Sequence, residues 1–197
     1  MTRKKPKDYL TMEELQVFLA AVDNNGGNMA FRDRLIVETM FWGAMRVSEA
    51  TKLDVSHIRY DLKPPRVEIK QAKGKKDRVI PMNPEVLSRI KVYINQTRER
   101  RKKYYRENPV FLSREGKRLT TRRIEQMVAD YATHSGIRKR ITPHTFRHSF
   151  AVYWVTKGGD RKSLQQFLGH EWFQTTEVYL NHTLSFDVME EAYANLK

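Results

Sequence analysis

The stretch TPHTFRHSF, residues 142–150, decides how this sequence is interpreted, because it combines helix signals with several cationic and titratable side chains. Pro143 suits the first position of a helix, where its missing N–H has no partner to lose, and Thr142 before it can cap that helix. Aromatic side chains then recur every four residues and predict one apolar helix face: Phe146, Phe150 and Trp154.

Beside this apolar face lie three polar side chains, His144, Arg147 and His148, at spacings of three and four residues. Residues at these spacings are neighbours on a helix surface. Burying such groups is costly unless an anion or a hydrogen-bonding group meets them. The stretch therefore predicts a site that receives an anionic or hydrogen-bonding partner.

The composition indicates a globular, strongly basic protein. Of its 197 residues, 40% are hydrophobic and 30% charged, and 37 lysines and arginines outnumber 23 aspartates and glutamates, which gives a formal charge of +14. Since no apolar run approaches the roughly eighteen residues of a membrane span, we expect nucleic acid rather than membrane as the partner. The absence of cysteine excludes disulfides, cysteine–zinc sites and thiol nucleophiles, and fits a cytoplasmic protein.

The hydrophobic periodicity changes from helical to alternating and back. Alternation predicts two strands, Arg66–Gln71 and Asp77–Met82, joined by a tight turn around Gly74, with a third strand within residues 53–61. The predicted fold class is mainly α with a small antiparallel β-sheet (α+β). Helices are predicted after a cap at Thr11, then over 31–42, from about 48, and over 84–106, 120–135, 144–157, 160–168, 175–181 and 186–196.

Three stretches, in this order, carry a resemblance to a known family. GAMRVSEA (43–50) places Arg46 after a glycine-ended helix, HTFRH (144–148) has the pattern H-x-x-R, and LGHEWFQTTEVYLNH (168–182) places a tyrosine nine residues after a histidine. An isolated H-x-x-R is a weak signal, but this order of motifs is specific. From about Tyr9 to its end, the sequence resembles the catalytic domain of the tyrosine recombinase (phage integrase) family.

The resemblance implies a role for individual positions. The two catalytic arginines correspond to Arg46 and Arg147, and the histidine of H-x-x-R corresponds to His144. The later histidine is His170, and the lysine between the second and third strands is Lys73. Tyr179 corresponds to the nucleophile and Glu49 to a supporting acidic residue. The resemblance further implies that double-stranded DNA is cut and rejoined through a 3′-phosphotyrosyl intermediate, with no metal and no other cofactor.

The chemistry of these side chains agrees with that set. Two guanidinium groups can hold the non-bridging oxygens of a phosphodiester bidentately and never lose their charge. A tyrosine hydroxyl needs cationic surroundings or a base in order to attack at neutral pH; His144 is a candidate base, and His170 can donate to the phosphate. Lys73, on a hairpin, can supply the proton that the departing 5′ oxygen requires. No carboxylate cluster is present in the sequence to hold two metal ions.

Several of these residues also have a plainer interpretation. Arg46 can pair with Glu49, three residues further along a helix. Lys73 can be one of several solvated lysines at a hairpin tip, and Tyr179 taken alone would be a core tyrosine.

A zinc site is the alternative for the histidines. His144 and His148, four residues apart, imitate half of such a site, and His170 could be a third ligand. However, Thr145 stands where a metalloprotease needs glutamate, and the fixed charge of Arg147 is unfavourable beside a cation.

Contacts to the DNA backbone are expected from basic residues near the hairpin and in the run RERRKKYYR (98–106), whose plainer interpretation is a solvated helix face. The candidates are Lys75, Lys76, Arg78, Arg101 and Lys102.

Two other functions share some of these features. A type IB topoisomerase uses the same chemistry, and residues 160–180 could form the helix-turn-helix of a DNA-binding regulator. A regulator, however, has no use for the ordered set of arginines, H-x-x-R and tyrosine.

The expected organisation is a basic arm (1–10), a catalytic domain (11–183) and a C-terminal helix (184–197). An apolar stripe on that helix must bury itself in its own domain or in trans on a neighbour. In the resembling family such exchange accompanies a tetramer on DNA, so we expect a homo-tetramer on DNA and a monomer in solution. Because the chain begins where longer members have an interdomain linker, we expect a catalytic fragment.

Overall fold

Helices dominate the computed structural model, which describes residues 9–70, 77–101 and 108–169, without the side chains of 98–101. The helices are α1 (Met12–Asn25), α2 (Ala30–Trp42), α3 (Val47–Thr51), α4 (Pro84–Arg101), α5 (Thr121–Ser135), α6 (Pro143–Thr156) and α7 (Arg161–Leu168), and the strands are β1 (Ile58–Arg59), β2 (Arg66–Ile69) and β3 (Arg78–Pro81). The predicted α+β class, mainly helical with a small antiparallel sheet, is confirmed.

The sheet is antiparallel in the order β1-β2-β3. Val67 of β2 pairs with Ile58 of β1 and Ile80 of β3, and these apolar side chains are buried. The alternation along β2 and β3 therefore turns one face of the sheet to the core, as the period of two predicted. The connection between β2 and β3, residues 71–76, lies outside the described residues.

Helix α1 begins where the sequence predicts it. The Thr11 side chain accepts from the Glu14 N–H, and the Glu14 carboxylate accepts from the Thr11 N–H, so a capping box fixes the first turn. The apolar side of α1 packs against α2 and α5. Helix α2 in turn contacts α4 and α6 and is buried over most of its length.

A buried polar network ties α2 to α5. Arg32 donates to Asp33 through Nε at 2.7 Å and to the Leu112 carbonyl through Nη1 at 2.8 Å, while the Tyr131 hydroxyl donates to Asp33 Oδ2 at 2.8 Å. Burial, and then the hydrogen bond to the ionised Asp33, raise the pKa of Tyr131. Tyr131 therefore stays protonated and acts as a fixed donor within the core.

The beginning of the domain differs from its predicted boundary. Residues 9 and 10 were expected in the arm, but Leu10 is buried and its N–H donates to Ser149 Oγ at 2.8 Å. The Ser149 hydroxyl in turn donates to the Thr145 carbonyl at 2.7 Å. An apolar side chain and a satisfied backbone donor therefore attach this segment to α6.

The helices predicted over 175–181 and 186–196 lie outside the described residues, as does the end of the helix predicted over 84–106. Across the ranges that the structure describes, no helix combines the length and apolarity needed to cross a bilayer.

The Leu10–Ser149 contact generates a stability prediction. Ser149→Ala leaves the buried Leu10 N–H without its acceptor, and we expect the free energy of unfolding to fall by about 1–3 kcal/mol. Thr133→Ala is the matched control, because the Thr133 hydroxyl also donates to a carbonyl four residues back but is exposed. Urea denaturation of both variants measures the difference; equal stabilities would contradict the prediction.

Candidate active site

Arg46 lies in a tight connection between α2 and α3. After Trp42, the chain turns through Gly43 and Ala44, and Ala44 has a φ of 45°, in the left-handed region that residues other than glycine seldom adopt. The Arg46 N–H donates to Glu49 Oε2 at 2.8 Å, which fixes the first turn of α3. The Arg46 side chain remains 39% exposed, so its guanidinium can reach a ligand.

The Glu49 carboxylate is the centre of the cluster, and its side chain is only 6% exposed. Oε1 accepts from Arg46 Nη1 at 3.1 Å and from Arg78 Nη1 at 2.8 Å, and Oε2 accepts from Arg78 Nη2 at 2.9 Å. Arg147 Nη1 lies 4.0 Å from Oε2. One carboxylate thus meets three guanidinium groups, and the cluster retains an excess of positive charge.

The surroundings of Glu49 keep it ionised. Burial alone would raise its pKa, but the hydrogen bonds and charge of Arg78, the Arg46 N–H and the charge of Arg147 outweigh burial and lower the pKa to about 2. Because this value is below the ordinary one, ionised Glu49 stabilises the folded state at neutral pH, and that contribution is lost as the pH falls through the acid range toward 2.

Arg147 is buried within α6, with 1% of its side chain exposed. Its Nη1 donates to the Ala44 carbonyl at 2.7 Å and its Nη2 to the Leu168 carbonyl at 2.5 Å. The left-handed turn at Ala44 and the end of α7 therefore supply the hydrogen-bonding partners that the sequence predicted for a charged group on this helix.

His144 lies one turn before Arg147 and is exposed, whereas the other residues of the first turn of α6 are buried. Partial loss of its hydration to the surrounding protein, followed by the positive charges of Arg147 and Arg46, lowers the pKa of His144. The imidazole is therefore neutral at pH 7 and can accept a proton. His148, on the same helix, is half-buried and lies edge-on to the Tyr9 ring, 5.9 Å between centroids.

Arg78 requires a correction. The sequence predicts a DNA contact for Arg78, but its side chain is only 9% exposed. Both terminal nitrogens bind Glu49, and its Nε donates to the Phe167 carbonyl at 2.9 Å. A guanidinium committed within the protein in this way is unsuited to a DNA phosphate. The period of two could have indicated this, since Arg78 shares a strand face with buried Ile80.

Of the expected site residues, the structure brings together Arg46, Glu49, His144 and Arg147. Others lie outside the described residues: Lys73, Lys75, Lys76, Lys102, His170 and Tyr179. Arg101 ends α4, and its side chain is likewise not described. At the base of the hairpin, Lys70 pairs with Asp77 at 2.9 Å.

The Arg46–Glu49 pair, the plainer interpretation of Arg46, is present at 3.1 Å. It does not exclude the catalytic interpretation, because Arg46 remains exposed while Glu49 is bound mainly by Arg78. Sequence patterns also do not reveal the backbone acceptors of Arg147, since any residue type can supply a carbonyl.

Comparisons with known proteins show the family to which this chain belongs. The sequence profile of the phage integrase family matches residues 8–185. Tyrosine recombinase XerC of Chlamydia caviae is 35% identical over 170 residues, which cover 86% of this chain and 53% of that protein. The chain thus spans about half the length of the curated relatives it matches.

Solved structures give the same result. The crystal structure of XerA recombinase is similar with a TM-score of 0.81 and 28% identity, over 96% of this chain and 65% of that one. The XerH site-specific recombinase, bound to a palindromic difH substrate in a post-cleavage complex, is similar with a TM-score of 0.77 and 26% identity, over 96% of this chain and 53% of that one. The fold is that of a tyrosine recombinase catalytic domain, and the chain belongs to the phage integrase family.

Proposed function

We propose that this chain is the catalytic part of a site-specific DNA recombinase that breaks and rejoins strands through a 3′-phosphotyrosyl intermediate. The observation that carries the proposal is the convergence of Arg46 and Arg147 at Glu49, with His144 close enough to both arginines for their charge to lower its pKa. Arg46 is distant in the sequence from His144 and Arg147. The cluster carries excess positive charge, the Arg46 guanidinium is exposed, and the His144 imidazole is neutral. Such a cluster suits a phosphodiester whose charge increases during reaction.

The relatives support recombination over the alternative functions. The similar proteins are named tyrosine recombinases, and one solved relative, XerH, is bound to a palindromic difH substrate in a post-cleavage complex. A helix-turn-helix regulator would need no arginines gathered around a buried carboxylate. The proposed substrate is accordingly double-stranded DNA.

In the proposed reaction, the Tyr179 hydroxyl attacks the scissile phosphorus. A bond forms between the tyrosyl oxygen and phosphorus while the bond from phosphorus to the 5′ oxygen breaks. The tyrosyl proton passes to His144, which is neutral at pH 7 and can accept it. His170 donates to the phosphate.

The departing 5′ oxygen takes a proton from Lys73 and leaves as a hydroxyl. Rejoining reverses these steps with the 5′ hydroxyl of another strand, so the energy of the phosphodiester is kept in the phosphotyrosyl bond. The whole cycle needs no further reactant.

The two arginines contribute differently. Arg46 is exposed enough to donate directly to a non-bridging oxygen. Arg147 is almost entirely buried, and its donors also hold the Ala44 and Leu168 carbonyls. It therefore contributes positive charge and, at the same time, fixes the backbone on which Arg46 stands.

Assembly forms the last part of the proposal. A homo-tetramer on DNA, with the helix of 184–197 docked in trans, remains a prediction because residues 170–197 lie outside the described residues. DNA contacts by Lys75, Lys76, Arg101 and Lys102 also remain predictions.

The first test concerns the nucleophile. Tyr179→Phe should abolish covalent attachment to a nicked suicide DNA substrate, while DNA affinity stays nearly unchanged because backbone charge dominates binding. A denaturing gel measures the adduct. Tyr60→Phe is the matched control, since it removes a hydroxyl that donates to the Leu87 carbonyl within the fold. A persistent adduct with the Tyr179 variant would reassign the nucleophile.

The second test separates the arginines. Arg46→Ala and Arg147→Ala should each slow adduct formation by about 10²-fold or more. Only Arg147→Ala should also lower the free energy of unfolding, by about 3 kcal/mol or more, because it leaves two buried carbonyls without their donor and removes one of the three cations beside Glu49. Single-turnover kinetics and urea denaturation measure the two effects. Equal stability losses would contradict the assigned division.

The third test concerns the leaving group. Lys73→Ala should be slow on an ordinary phosphodiester but near wild type on a 5′-bridging phosphorothiolate, because a thiolate departs without a proton. For Lys70→Ala, at the base of the same hairpin, the rate of adduct formation relative to the wild-type chain should be the same on both substrates. If the Lys73 variant is equally impaired on both, Lys73 is not the general acid.

A further inference from the structure

We propose that Arg78 is a positioning residue for the reaction proposed above: it holds the Glu49 carboxylate, leaves Arg46 able to bind the substrate, and fastens β3 to the end of α7. The inference depends on the proposed function for its kinetic consequences. The contacts themselves do not depend on it.

Arg78 binds both carboxylate oxygens of Glu49. Its two terminal nitrogens donate to Oε1 and Oε2 at 2.8 and 2.9 Å, a bidentate pair between side chains that are 9% and 6% exposed. Bidentate pairs of arginine and carboxylate fix orientation as well as charge. Arg78, on strand β3, therefore fixes the plane of the Glu49 carboxylate.

Because Arg78 binds Glu49, most N–H donors of Arg46 are not used by that carboxylate. In the described part of the chain, the Arg46 guanidinium makes one hydrogen bond, from Nη1 to Glu49 Oε1 at 3.1 Å. A guanidinium has five N–H donors, so most of them remain for a phosphate. Without Arg78, the buried Glu49 carboxylate would draw Arg46 inward and compete with the substrate for it.

Arg78 and Arg147 both donate to the end of α7. The Phe167 carbonyl accepts from Arg78 Nε at 2.9 Å, and the next carbonyl, that of Leu168, accepts from Arg147 Nη2 at 2.5 Å. The last carbonyls of a helix lack helical partners and carry partial negative charge. Arg78 and Arg147 are thus located by the same end of α7.

Gly169 permits this arrangement. Its φ is 58°, and a Cβ at this position would lie 3.0 Å from both Cδ and Nη1 of Arg78. Arg78 also opens β3, directly after the segment that carries Lys73. One side chain therefore links the end of the hairpin, the carboxylate beside Arg46 and the end of α7.

The kinetic test compares Arg78→Gln, Arg78→Lys and the control Arg59→Gln in the full 197-residue chain. Adduct formation on the suicide substrate is followed under single turnover at saturating protein. We expect Arg78→Gln to be slower by about 10-fold or more, because small misplacements of catalytic groups are costly. Arg78→Lys should recover part of the rate, since one ammonium keeps the charge but cannot span both oxygens.

Arg59→Gln removes the same charge from the same sheet. Arg59 pairs with Asp61 and Glu68 at an exposed position, so its variant should react at close to the wild-type rate. Circular dichroism and the active fraction, taken from the adduct amplitude, verify that each variant is folded.

Two readouts separate positioning from a merely structural role. The charged groups that face Glu49 are Arg46, Arg78 and Arg147, so loss of Arg78 should raise the pKa of Glu49 and move the acid limb of the rate profile to higher pH. In a Glu49→Gln background, the further change Arg78→Gln should have little effect on the rate, because the two residues act as one unit.

The proposal is overturned if Arg78→Gln reacts at the wild-type rate, if only its active fraction falls, or if its rate effect adds fully to that of Glu49→Gln. If the wild-type chain forms no adduct, the proposed function fails instead. Carboxyl-carbon NMR of Glu49 then still tests the hold of Arg78: an upward shift of the titration in Arg78→Gln but not in Arg59→Gln supports it, and no shift rejects it.

Discussion

One buried carboxylate organises the candidate site. Glu49 of α3 accepts from Arg46 and Arg78 and lies close to Arg147, so guanidinium groups from the α2–α3 connection, β3 and α6 meet at a single anion. Guanidinium groups would repel one another if they were gathered without an anion between them, and a buried anion would be unstable without them. Three guanidinium groups around one carboxylate leave a net positive charge, and this charge can attract an anion such as a phosphodiester.

Much of the fold could be predicted from the sequence because its signals are local. The capping box at Thr11, proline after Thr142 and alternation along β2 and β3 place the elements within a few residues of where they lie. The packing of residues 9 and 10 against α6 could not be predicted, because it depends on a hydroxyl far away in the chain.

For the candidate site, the order of motifs indicates Arg46, Glu49, His144 and Arg147, and the structure places these four residues near one another. Their roles in catalysis stay predictions. The inward role of Arg78 was missed because a basic residue beside a lysine-rich turn has the composition of a DNA contact, whereas its pairing partner is decided by tertiary packing. The carbonyls that receive Arg147 leave no trace in side-chain identity at all.

The left-handed turn at Ala44 restricts how this protein can be engineered. A β-branched or bulky side chain fits poorly at a φ of 45°, and the Ala44 side chain is completely buried, so a larger residue has neither the backbone conformation nor the volume it needs. Glycine satisfies both conditions, and asparagine tolerates the backbone but adds volume and polar atoms. A substitution library directed at this domain should therefore leave position 44 to alanine and glycine while diversifying the exposed positions around Arg46.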